Sequence, residues 1–164
     1  MPAAVTSYTV VESLHVMAVV AAYGLPMAYP MLLPYLRRTH PRAMPGAHDV
    51  QHRLNLMLTG PGTVLILAFG VYMASKQHLW GATWVQVPIG ILAVIAVVGG
   101  AHIVPASKRM AILARADVDA AAPGGAVVWS AEYDRVYSRY MASEVLLGVL
   151  VLTAIFFMAA RPFS

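Results

Sequence analysis

Four runs of apolar residues, each long enough to cross a bilayer, constrain this chain more than any other feature. They lie at roughly 8–36, 53–75, 87–105 and 141–160, and a hydrocarbon core of ~30 Å takes ~20 helical residues to span. Composition points the same way. Of the 164 residues 60% are hydrophobic and 11% charged, with a mean hydropathy of +0.70, whereas a soluble domain carries about a quarter charged residues. The bilayer interior holds no water to satisfy backbone N–H and C=O groups, so apolar runs of this length are read as helices. The expected fold is all-α: a polytopic four-helix transmembrane bundle, a single domain over 1–164, with the lipid bilayer as its first partner.

The basic residues orient that bundle. Arg37, Arg38, Arg42 and Arg53 lie between the first two spans, and Lys108, Arg109, Arg115, Arg135 and Arg139 between the last two. Only Lys76 and Arg161 lie elsewhere. Positive residues accumulate in cytoplasmic loops, which predicts both termini outside and a multi-pass protein of a bacterial cytoplasmic (inner) membrane. Topology thus accounts for the net charge of +4 without a nucleic-acid partner. Disulfides, iron–sulfur clusters and thiolate metal sites are excluded by the lack of cysteine. The N-terminal MPAAVTSYTVVESLH lacks the basic stretch of a cleavable signal peptide, so the first span is expected to be retained.

The segment 106–140 is predicted to lie on the cytoplasmic side. Within it SKRMAILARADVDAAA spaces Met110 and Leu113 as a short amphipathic helix at the interface. Pro123-Gly124-Gly125 breaks it, and from Val127 the pattern is helical again into the fourth span. Tyr133, Tyr137, Tyr140, Arg135 and Arg139 read as an interfacial face there, with Trp129 as an anchor.

Ionisable residues inside a span are costly and face a bundle interior or a cavity. Glu12 and His15 sit one turn apart at the outer end of the first span. Its inner half, YGLPMAYPMLLPY, places Pro26, Pro30 and Pro34 on one face and frees the carbonyls of Ala22, Pro26 and Pro30. The plain expectation there is a kinked or partly unwound helix. His48 and His52, four apart, share the spacing of a metal pair, and Asn55, Thr59 and Thr63 continue as a polar stripe into the membrane. By depth, His52, His102 and Glu144 should share a level towards the basic side, with His15 far from them.

Two imidazoles at one level can ligate a b-type haem, and His–His–Glu can hold a divalent metal. The candidate cofactor-binding residues are therefore His52, His102 and His15, and the candidate metal ligands His48, His52, His102 and Glu144. Against this stands the plainer reading of an interhelical His–Glu hydrogen bond, with Gly99-Gly100 serving close packing. Ala18, Ala21, Gly24, Ala28 and Gly148 are the small residues expected at helix contacts.

The segments SLHVMAVVAAYG and LTGPGTVLILAFGVYMA resemble the DUF2269 family of bacterial four-helix membrane proteins, with its Leu-His-Val near the start and Pro-Gly before a Gly-ending second span. That resemblance implies the four-helix fold and no activity. The histidine-bearing first helix also resembles, in architecture only, four-helix haem or copper membrane proteins of the CopD-like group. Three functions follow as expectations. One is a haem b or metal protein for electron transfer or redox sensing. Another is a cofactor-free subunit of a larger complex, or a homo-oligomer. The third is a small transporter or channel lined by Asn55, Thr59, Thr63, Glu144 and the freed carbonyls.

Overall fold

A computed structural model describes residues 6–162. Every regular element among them is helical, and they join into four long rods: α1 (Ser7–Thr39), α2 (Pro41–Lys76), α3 (Thr83–Ala120) and α4 (Ala131–Ala160). All four are long and apolar enough to cross a membrane. The chain is a multi-pass membrane protein with an all-α, four-helix architecture. At 1.5 Å per residue the longest rods reach well over the ~30 Å of a hydrocarbon core, so the bundle continues beyond it at the basic end. Large apolar side chains on the outside, among them Met17, Met31, Met57, Val97 and Phe156, face a solvent as apolar as themselves.

Prolines set the irregularities of the rods. In α1 the helix runs to Tyr23, narrows to a 3-10 turn at Pro26–Ala28 and resumes at Tyr29. Its outer half packs on α2 and its inner half on α4, so the break lets one rod change partner. Two of the three freed carbonyls find donors: Thr59 donates its hydroxyl to the Ala22 carbonyl at 3.1 Å, and the Tyr29 N–H serves the Pro26 carbonyl.

Two more prolines follow π segments. Asn55–Thr59 is wound as π helix just before Gly60-Pro61, and Gly99–Ile103 just before Val104-Pro105. A helical proline lacks an N–H and crowds the carbonyl four residues back, here those of Met57 and Ala101. The wider i→i+5 turn moves those carbonyls aside, with Gly60 donating to the Asn55 carbonyl and Val104 to the Gly99 carbonyl.

Two clusters form the core. Towards the termini, Ala22, Tyr23, Ile66, Ile95 and Val151 pack together. At the basic end, Tyr29, Leu33, Met44, Met110, Tyr133, Tyr137 and Tyr140 form a larger cluster. The predicted interfacial helix at 107–122 is placed otherwise. It continues α3 without a break, burying Ala106, Met110, Ala111 and Ala114 against α2 and α4. Lipid headgroups are thereby replaced by protein on its apolar face. Likewise Tyr133, Tyr137 and Tyr140 are core, not an interfacial face, while Arg135 and Arg139 are exposed.

Ion pairs ring this end: Arg37 with Asp134, Arg109 with Glu132, and Arg115 with Asp49. Arg42 donates to the carbonyls of Ala122 and Gly125, which ties down the turn between α3 and α4. Asp117 accepts from both the N–H and the hydroxyl of Ser130, the N-cap of α4.

Of the small residues expected at helix contacts, Ala18 is at one, together with Ala22 and Gly62. Gly62 of α2 meets α1 so closely that a Cβ there would lie 2.6 Å from the Ala22 Cβ. Ala18 and Ala22 therefore make the contact. Ala21, Gly24 and Ala28 are exposed, because they lie off the Ala18–Ala22 face that meets Gly62. A Cβ added to Gly148 meets nothing within 4 Å.

Candidate functional site

Both π segments, the inner end of the first helix of α1 and the middle of α4 surround one cavity of about 250 Å³. Asn55, Thr59 and Thr63 of α2 line it together with Glu144 of α4. These are the four side chains of the expected transporter lining, gathered around one cavity. Gly99, Gly100 and Gly148 also line it, and a Cβ on any of them would meet open space. The missing side chains are thus what leaves room for the cavity. π segments recur at functional sites because they redirect side chains without ending the helix.

The cavity is mostly apolar, and its polar groups are few. Tyr23 hydrogen-bonds Thr63 at 2.7 Å, and the Thr63 hydroxyl donates to the Thr59 carbonyl. The Asn55 side chain is 4% exposed, and its Nδ2 has no partner in the structure. A buried amide donor without a partner costs about 1–3 kcal/mol. Glu144 is 5% exposed and in no ion pair among the described residues. The cavity lining contains no Lys, Arg or His.

Glu144 ends a chain of buried hydrogen bonds with one consistent direction. The Tyr140 hydroxyl donates to Glu144 Oε1, and Gln51 Nε2 donates to Tyr140 at 2.7 Å. His48 Nδ1 donates to Gln51 Oε1 at 3.0 Å, which leaves Nε2 to accept from the Tyr133 hydroxyl at 3.0 Å. This tautomer follows from the amide, whose oxygen can only accept. Tyr133 in turn lies under Arg37, whose guanidinium sits 4.9–5.5 Å from the ring centres of Trp129, Tyr133 and Tyr137. A polar line therefore runs from the basic end into the cavity.

The histidines occupy separate places. His48 has both ring nitrogens engaged within that chain. His52 turns to α3, where Nδ1 meets the Ser107 hydroxyl at 3.1 Å. His102 is half-buried on the second π segment and does not line the cavity. His15 is buried at the termini-bearing end with neither ring nitrogen bonded. It borders a pocket of about 40 Å³ that meets the larger cavity at Tyr23, Ile95 and Val151. Glu12 is exposed. Among the described residues, no three His, Asp or Glu side chains come together as a metal-ligand group. His48, His52, His102 and Glu144 thus share a region without sharing a centre.

Sequence reasoning missed Gln51, Tyr140, Tyr133 and Tyr23. The spacing 133, 137, 140, 144 was a visible signal, since it places three tyrosines and the glutamate on one helical face. Comparison of the chain with protein-family models, curated proteins and solved structures finds no match.

Proposed function

We propose that this is a small proton-linked transporter that moves a solute through the bundle, with Glu144 taking up and giving up the proton. One observation carries the reading: Glu144 is the single ionisable carboxyl on the wall of a mid-bundle cavity that has no basic side chain to neutralise it. A carboxyl so placed is costly, and carboxyls in this setting mark substrate and ion pathways. The membrane we infer is the bacterial cytoplasmic one, with both termini outside.

The buried chain positions Glu144 rather than feeding it protons. Gln51 donates through N–H and accepts through C=O, and as an amide it has no proton to hand on. Protons therefore reach Glu144 through the cavity, and the chain orients the carboxyl and reports its charge to His48.

The test is reconstitution into liposomes with a trapped pH dye, challenged with amino acids, sugars, organic acids and organic cations. At least one class should move protons, and Glu144→Gln should return the signal to that of empty liposomes. No response to any class, or full response in Glu144→Gln, overturns the proposal. A b-type haem or divalent metal on His52 and His102 is the competing reading. A Soret band or stoichiometric metal in the purified protein would establish it.

A further inference from the structure

Resting on the transport reading, we infer that the cavity's substrate is a small lipophilic organic cation, taken laterally from the bilayer and exchanged for the proton on Glu144. The lining has one carboxyl and no cationic residue, so an ionised Glu144 needs its countercharge from outside the protein. A proton can supply it, and so can a positively charged ligand. The remaining walls are apolar, which rejects a hydrated inorganic ion and suits a cation whose charge is wrapped in carbon. Tyr23 lines the same space, and aromatic side chains attract such cations.

Access favours a bilayer-borne molecule. Leu56, Gly60 and Val64 of α2 and Ala96 and Gly100 of α3 line the cavity and are themselves exposed. The opening therefore lies between two rods, towards lipid. A volume of about 250 Å³ is just under the ~300–1,000 Å³ of drug-binding pockets, so the ligand is small.

The exchange balances in charge. A protonated Glu144 and a free cation become a carboxylate–cation pair and a released proton. Titratable groups around Glu144 are the Tyr140 hydroxyl of α4, which donates to it, the Tyr29 hydroxyl of α1, and on the cavity lining the Tyr23 hydroxyl of α1, which is hydrogen-bonded to Thr63. From α2 and α3 the lining brings Asn55, Thr59, Thr63 and glycines, none of which titrates. Competition with protons thus centres on the one carboxyl.

The experiment uses the full chain in lipid nanodiscs with benzyltrimethylammonium as probe and neopentylbenzene as its neutral isostere. Saturable binding of the cation is expected, with about one proton released per cation and affinity falling as pH is lowered. Neopentylbenzene should compete at least tenfold more weakly. Glu144→Gln should weaken cation binding at least tenfold. So should Gly148→Leu, which fills the cavity while keeping the carboxyl and guards against a folding defect in the first variant. Equal competition by the isostere, or unchanged binding in both variants, overturns the inference. Proton movement driven by another solute class, with no cation binding, overturns the inference and leaves the transport reading standing. Glu144-dependent cation binding without any flux does the reverse.

Discussion

At the scale of single residues, the decisive property is how each buried polar group is satisfied. Gln51 is the middle link of the Tyr133–Glu144 chain, and both ends of its amide are used. Gln51→Leu strands His48 Nδ1 and removes the donor to Tyr140, so it should cost about 1–3 kcal/mol, measured by thermal unfolding in detergent. His15 is the opposite case. Neither of its nitrogens has a partner, so His15→Leu removes an unsatisfied group and should leave the melting temperature unchanged or raised. A clear loss of stability would show that the imidazole has a partner in the membrane. Arg37 and Arg109 both form ion pairs, but only Arg37 lies against three aromatic rings. Arg109→Ala should cost at most about 1 kcal/mol, as exposed pairs do. Arg37→Ala should cost more, because it also uncovers the tyrosine stack.

At the scale of elements, glycines with similar sequence contexts do opposite work. Gly62 is where α1 and α2 touch, so Gly62→Val drives a side chain into Ala22 and should destabilise the bundle by about 1–3 kcal/mol or more. Gly148 faces open space. Gly148→Leu should therefore keep or raise stability, since glycine inside a helix is ~1 kcal/mol worse than alanine. Comparing the two melting temperatures checks the distinction. The prolines of α1 were legible as a break, and the break is there. The π segments were not, although Gly60-Pro61 and Gly99-Gly100 marked their places. Proline's missing donor is a local fact, but whether a rod answers it with a kink or a widened turn depends on what packs beside it.

At the scale of the whole molecule, orientation is the property that charge predicts and packing does not. The chain has no cysteine, so single cysteines report accessibility cleanly. Lys76→Cys should react with a membrane-impermeant maleimide added to intact cells, and Lys108→Cys only after permeabilisation. The reverse pattern would invert the bundle. The extension of the rods past the membrane at the basic end also changes what the polar residues there do. Tyrosines that would otherwise lie among headgroups become the core of a helical bundle, and the ion pairs close its rim.

The amino-acid sequence alone determined the four apolar spans and the gathering of basic residues at one end. Each follows from hydropathy, charge and a rise of ~1.5 Å per residue along the chain. Asn55 and Ile103, close neighbours of His52 and His102, do line the same cavity as Glu144. Only the tertiary structure decided which way those side chains turn. A step of one residue rotates a helical side chain by about 100°, and two π segments add turns of their own. His52 and His102 thus face elsewhere, and Asn55, Thr59, Thr63 and Glu144 share the cavity instead.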